Sequence, residues 1–201
     1  NQLIANNIKN IDNVIYTHYH ADQTHGINDL RVFSLKNKKK ISVYADKDTK
    51  KYLFNSFSYC FKESKNYPAI LRLIDIKKDI FFSKSIYIET IKVLHGNILS
   101  NLFIINKKIA YLPDGNKIFN NDFKKFKNLK YLIIDCLRYK KHPSHFNIDD
   151  ILKHQNNNYQ IVDSREKDFY LGINKLKGFK EFGTIEATVN HNFKVINSKK
   201  D

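Results

Sequence analysis

The stretch THYHADQTHG, residues 17–26, determines how this sequence is interpreted, because it contains three of the chain's eight histidines and an aspartate. The β-branched run NVIYT (13–17) leads into it and favours a strand. On an extended segment, side chains two positions apart point the same way, so His18 and His20 can face one point and Asp22 a second point nearby. Two imidazoles and a carboxylate suit zinc, manganese or iron. A strand before the histidines and a glycine-started helix after them favour a metal site over an accident of composition.

The bulk composition limits the classes of function. A chain of 201 residues suits one domain with a sizeable core. It has no apolar run of the roughly 20 residues that a membrane span needs, and no signal-peptide pattern. The net charge is +15, but only four of the 35 basic residues are arginine, the residue that leads base readout. A solvated lysine-rich surface is therefore favoured over a nucleic-acid binder, with a basic face that attracts a phosphate-bearing substrate as the alternative.

The ends and the cysteines carry further expectations. The chain begins with Asn1 and contains no methionine, so we expect a fragment or a trimmed product with a portion missing in front. Cys60 and Cys136 both lie in apolar contexts, which favours two buried free thiols in a reducing cytoplasm.

Strand-like and helix-like segments alternate, which predicts one mixed α/β domain over residues 1–201. The patterns predict strands at ISVYAD (41–46), SIYIETIKVLH (85–95) and YLIIDCL (131–137), a hairpin at NLFIINKKIAYLPD (101–114) that turns at residues 106–108, and helices at GINDLRVFSL (26–35), DTKKYLFNSFSYCF (48–61) and NIDDILKH (147–154). Asn147 is the predicted N-cap of the last helix, with Asp150 three residues on. Beyond Asn156 the pattern decays.

The histidine stretch resembles the HxHxDH signature of the metallo-β-lactamase superfamily, and THYHADQTHGINDLR as a whole resembles its PhnP-like branch, related to cyclic phosphodiesterases. LHG (94–96), IAYLPDGNKI (109–118) and LIIDCLRYKKHPSHFNIDDIL (132–152) are similar to further motifs of the family, in the same order. Residues 1–152 match the family, and residues 153–201 form a divergent tail. The resemblance implies an α/β fold, the metallo-β-lactamase αββα sandwich, incomplete at the N-terminus.

Metal ligands follow from the resemblance, residue by residue. It implies His18, His20 and His95 at a first metal site, Asp22 at a second, and Asp114 between the two. The implied cofactors are one or two ions of Zn²⁺ or Mn²⁺. The implied function is a metal-dependent hydrolase, in which a metal-activated water attacks a small phosphodiester of the cyclic ribose phosphate type.

Asp22 and a histidine of the turn HPSH (142–145) are the two expected catalytic residues. We assign His145 to protonate the leaving group or hold a phosphate oxygen, because it adjoins a helix N-terminus. The alternative is a histidine that caps a turn. Asp135 is expected to be structural, or to support a metal ligand.

Two departures from the family pattern support a second hypothesis. Gln23 stands where the motif has a histidine, and a neutral amide is a weaker zinc ligand. His25 is expected to have a supporting role. The family's last metal histidine has no counterpart, since His191 is expected to be a surface residue and His154 to interact with a helix dipole. The alternative is therefore an impaired or inactive fragment that binds one metal or none.

The expected partner is a small phosphate ester, with a homodimer left open. Neither nucleic acid nor membrane is expected as a partner, and the expected location is the cytoplasm.

Overall fold

The computed structural model describes residues 2–83, 85–136, 140–152 and 160–162. The chain divides into two compact units, Asn1–Lys77 and Lys78–Asp201. The predictions for His154 and His191, and most of the tail after residue 152, lie outside the described residues. Within the described ranges, no helix combines the length and apolarity needed to cross a membrane.

The first unit is a three-stranded parallel sheet with helices in its connections. The strands pair in the order β1-β2-β3, and both pairings are parallel. Parallel neighbours need crossover connections, which the helices supply. The strands are β1 (Asn13–Ile15), β2 (Ile41–Ala45) and β3 (Leu71–Asp75), and the helices are α1 (Gln2–Ala5), α2 (Ala21–Thr24), α3 (Leu30–Asn37), α4 (Lys47–Ser56) and α5 (Ser58–Phe61).

Helical spacing places the apolar residues of the first crossover in the core. A 3₁₀ segment at His25–Asp29 leads into α3, and Ile27, Leu30 and Phe33 are buried. This confirms the helical pattern predicted over residues 26–35, with one turn of tighter helix at its start.

The helix predicted over residues 48–61 is divided in two. The Asp46 side chain accepts a hydrogen bond from the Thr49 backbone N–H at 2.9 Å and so begins α4. The helix ends at Ser56, because Phe57 has φ −131° and ψ 38°, and α5 follows at Ser58. Phe57 is buried in the core of this unit together with Leu53 and Cys60.

The second unit is a six-stranded mixed sheet whose order follows the chain, β4-β5-β6-β7-β8-β9. Pairings from β4 to β7 are antiparallel, and those of β7 with β8 and β8 with β9 are parallel. The strands are β4 (Asp79–Ser83), β5 (Ile86–His95), β6 (Ile98–Ile105), β7 (Ile109–Leu112), β8 (Tyr131–Ile134) and β9 (Gln160–Val162), and the helix is α6 (Ile148–Leu152).

The predicted hairpin and helix cap of this unit are confirmed. The β6–β7 turn has left-handed backbone at Asn106 (φ 50°) and Lys107 (φ 56°), the conformation that a tight hairpin requires. Asn147 Oδ1 accepts the Asp150 backbone N–H at 3.1 Å at the start of α6.

Both cysteines are free thiols, as predicted. Cys60 is fully buried, whereas Cys136 is only partly buried, so the expectation of two buried thiols is wrong for the second. Cys136 is the second residue after the end of β8 and packs at the margin of the core rather than within it.

Candidate metal centre

In the first unit, His18 and His20 lie just beyond the carboxyl end of β1. Tyr16 continues the strand direction through a 2.9 Å backbone hydrogen bond to the carbonyl of Tyr44. His18 is buried and His20 exposed, and their ring centroids are 4.6 Å apart in an edge-to-face arrangement. The Thr17 hydroxyl lies 3.1 Å from His18 Nδ1. The two imidazoles are therefore neighbours, as the extended alternation predicts.

The extended alternation stops at His20. Helix α2 begins at Ala21, so Asp22 lies on a helix and the expectation that it continues an extended segment is wrong. The Gln23 amide donates a 3.0 Å hydrogen bond to Asp22 Oδ2. The residue that replaces the family's histidine therefore contacts the predicted metal carboxylate directly. His25 Nε2 lies 3.2 Å from the Tyr52 hydroxyl.

In the second unit, polar residues follow the carboxyl ends of three strands. His95 is the last residue of β5, Asp114 lies just after β7, and Asp135 directly follows β8. β5 and β7 are both antiparallel to β6, and β8 is parallel to β7, so all three strands run the same way. Their carboxyl ends share one edge of the sheet, which brings the three side chains together.

The turn that carries His142 and His145 is held against this edge by hydrogen bonds. His95 Nδ1 donates to the Ser144 carbonyl at 2.6 Å. Asn116 accepts the Gly96 backbone N–H at 3.0 Å and donates to the Pro143 carbonyl at 2.9 Å. With Nδ1 carrying the proton, the other nitrogen of a neutral His95 ring has a lone pair for a metal.

Gly96 is required where the β5–β6 hairpin meets this turn. Its φ is +59°, and a Cβ on it would lie 3.1 Å from the Cβ of Ser144. A larger residue would therefore meet both backbone strain and a close contact.

His95, Asp114 and His145 form a cluster that could hold a metal ion. Each offers one ligand atom, and these atoms all lie within 4.8 Å of one another. His145 Nδ1 is 2.6 Å from Asp135 Oδ2 and 3.6 Å from Asp114 Oδ1. The side chains of His145, Asp114 and Asp135 are 16%, 13% and 6% exposed, so these interactions are only partly screened by water. Two imidazoles and a carboxylate at this spacing fit a divalent ion such as zinc.

The sequence predicted most of these residues but not the hydrogen bonds between them. His142 Nδ1 accepts from the Ser144 backbone N–H at 3.3 Å, so His142 caps the turn and His145 enters the cluster. Asp135 is the carboxylate partner of His145. An acidic residue at the end of an apolar strand was the signal for Asp135, while the sequence carried no signal for Asn116 or the Ser144 carbonyl.

Comparison with known proteins identifies the family. Residues 2–156 match the family described as the beta-lactamase superfamily domain, so the chain belongs to the beta-lactamase superfamily. An octanoyltransferase of Porphyromonas gingivalis is 30% identical over 158 residues, which are 75% of this chain and 31% of that protein. The chain therefore spans less than a third of the length of this relative.

Solved structures show the fold. A diphosphatase from the PhnP family has a TM-score of 0.70 at 24% identity, over 80% of this chain and 62% of that chain. The short form of human tRNase Z has a TM-score of 0.57 at 17% identity, over 76% of this chain and 71% of that chain. The fold is the metallo-β-lactamase fold, as predicted from the motifs, with mixed sheets and helices.

Proposed function

We propose that the protein is a metal-dependent hydrolase of a small phosphodiester of the cyclic ribose phosphate type. The observation that carries this proposal is the cluster of His95, Asp114 and His145 at one edge of the second sheet, with Asp135 bound to His145. The diphosphatase from the PhnP family among the similar structures supports a phosphate ester as the substrate class.

The proposed metal ligands follow the family motifs. They are His18, His20, Asp22, His95 and Asp114. A divalent ion, Zn²⁺ or Mn²⁺, supplies Lewis acidity when bound, which lowers the pKa of water towards neutrality and polarises a phosphoryl oxygen.

His145 is the proposed proton donor to the leaving oxygen. Its Nδ1 is held by Asp135 at 2.6 Å, so the ring is oriented and its other nitrogen, Nε2, can carry the transferred proton. The Asp135 carboxylate stabilises the protonated ring, as a buried carboxylate does for a catalytic histidine elsewhere. The metal content of His145→Ala separates the two roles, because loss of a proton donor leaves the ion bound whereas loss of a ligand releases it.

The testing experiment measures metal content and hydrolysis together. Full-length chain without a histidine tag is analysed for Zn and Mn, and assayed on a cyclic ribose phosphate and on bis-p-nitrophenyl phosphate. We expect His95→Ala to lose metal and to lower activity more than 100-fold, beyond the roughly 10- to 100-fold typical of residues that only support a ligand. Leu99→Ala changes an exposed residue of the same hairpin and should alter neither.

The outcomes separate this function from its alternative. Metal with turnover that His95→Ala abolishes supports the proposal. Metal without turnover of either diester favours an impaired chain. Absence of metal from protein prepared with Zn²⁺ and Mn²⁺ would refute the ligand set.

A further inference from the structure

An open cleft lies in the first unit beside the histidine segment. It has a volume of about 340 Å³ and is lined by Tyr19, Asp48, Lys51, Tyr52 and Asn55. We call it the Tyr19–Tyr52 cleft. None of the proposed metal ligands or catalytic residues lines it, although Tyr19 stands between His18 and His20 in the chain.

Helix α4 supplies four of the five lining residues from one face. Positions 48, 51, 52 and 55 follow the spacing at which helical side chains become neighbours. The opposite face of α4 buries Thr49 and Leu53 in the core. The cleft floor is therefore part of a helix that is fixed by its own packing.

Tyr52 is held in place from two sides. Its hydroxyl lies 3.2 Å from His25 Nε2, and its ring packs edge-to-face with Phe57, centroid to centroid 6.4 Å. Tyr19 lies against Tyr52 with a centroid distance of 5.8 Å and a tilt of 33°. Tyr19 also packs edge-to-face against the ring of His20 at 5.8 Å. The two tyrosines thus form an aromatic wall that needs little ordering when a ligand binds.

We propose that the Tyr19–Tyr52 cleft binds the aromatic ring of the substrate, so that the substrate is an aromatic phosphate ester, with a nucleobase or an aryl group as its ring. The proposal rests on the proposed hydrolase function and specifies its substrate class. Aromatic side chains bind bases by stacking, which tolerates different rings because every base has a π-face.

The size of the cleft and the polar residues at its rim restrict the kind of ligand that fits. A volume of 340 Å³ is at the lower end of the roughly 300–1,000 Å³ of small-molecule pockets, so it suits a single ring system rather than a polynucleotide. Lys51 and Asp48 are exposed at the rim and supply a donor and an acceptor, and the Asn55 amide supplies both. A ring with heteroatoms at its edge, such as a purine, uses these groups.

The test measures binding of metal-free protein in EDTA by calorimetry. The probes are adenosine monophosphate, phenyl phosphate and ribose 5-phosphate, which share a phosphate and differ in the ring. We expect adenosine monophosphate to bind about 5- to 150-fold more tightly than ribose 5-phosphate. A stronger preference for adenosine monophosphate than for phenyl phosphate identifies a nucleobase, and equal affinity of the two identifies an aryl ring.

Matched variants test whether Tyr19 causes the preference for adenosine monophosphate over ribose 5-phosphate. Tyr19→Leu should abolish this preference, whereas Tyr19→Phe, which keeps the ring, should retain it. Tyr67→Ala removes an exposed tyrosine of the same unit that does not line the cleft, and should leave it unchanged. Circular dichroism checks that each variant is folded, and the preference of the wild-type protein is itself decisive if Tyr19→Leu does not fold.

Different results would contradict the cleft proposal and the proposed hydrolase function. Equal binding of all three probes by wild-type protein, or a preference that persists in folded Tyr19→Leu, would overturn the cleft assignment even if the enzyme hydrolyses diesters. A Tyr19-dependent preference in a chain that binds no metal would support the cleft and overturn the hydrolase.

Discussion

Replacing Asp135 by asparagine tests how the second unit moves a proton. The substitution keeps the shape of the side chain and removes the charge that faces His145 Nδ1 at 2.6 Å. Asp135 is only 6% exposed, so water screens its charge weakly. Water therefore does not readily take over the interaction of this carboxylate with His145. We expect His145 to lose stabilisation of its protonated form while remaining in place.

The expected magnitude follows from the type of hydrogen bond. A hydrogen bond to a charged group contributes about 1.5–3 kcal/mol. If the loss of this hydrogen bond reduces the protonated, correctly oriented fraction of His145 by the same free energy, kcat/KM falls by about 10- to 150-fold, since each 1.36 kcal/mol is about tenfold. The loss should appear with the cyclic ribose phosphate, whose alkoxide leaving group needs a proton. With bis-p-nitrophenyl phosphate it should be small, because nitrophenolate leaves without one.

The assay compares Asp135→Asn, His145→Ala and the double variant on both substrates, with metal content measured on each. The double variant should be no slower than His145→Ala alone, because Asp135 acts through His145. Equal losses on the two substrates would refute the proton-donor assignment. Loss of metal in His145→Ala would show that His145 is a ligand instead.

Three further predictions concern the metal count, the hairpin and the thiols. Gln23→His should add about one metal ion per chain relative to Gln23→Ala, measured by elemental analysis, because it restores an imidazole beside Asp22; equal counts would exclude this position from metal binding. Gly96→Ala should lower the free energy of unfolding by about 1–2 kcal/mol through its left-handed φ of +59°, measured by urea denaturation, and an unchanged midpoint would contradict that reasoning. Cys60 should react with iodoacetamide far more slowly than Cys136 between pH 7 and 9, because burial raises the pKa of the Cys60 thiol and keeps it neutral; mass spectrometry of the labelled peptides measures both rates, and equal rates would show that Cys60 is accessible.

Much of the fold is local and could be predicted. The alternating run before His95 and the apolar run of β8 appear as strands, and the Asn147 cap appears at the start of α6. These features depend on side-chain period and on hydrogen bonds within a few residues. The break at Phe57 was not predictable in this way, because Phe57 follows Leu53 at helical spacing and residues 48–61 contain no glycine or proline.

The candidate site was likewise predicted in part from the sequence. The order HxHxD, LHG, PDG and HPSH predicted His18, His20, His95 and Asp114 as metal ligands through resemblance alone, and the structure places His95 and Asp114 at strand ends. The side-chain alternation of an extended segment correctly predicted that the rings of His18 and His20 are neighbours. It did not predict the direction of the Asp22 side chain, because a helix begins at Ala21.

By itself, the sequence determined the family, the residue types available for a metal and the exchange of a histidine for Gln23. Only the tertiary structure decided which partners these residues have. Asp135 meets His145 because His95 and Asn116 hold the 142–145 turn against the sheet edge at which β8 ends. Such a pairing depends on strand direction and on contacts between residues far apart in the chain, which are set when the core packs.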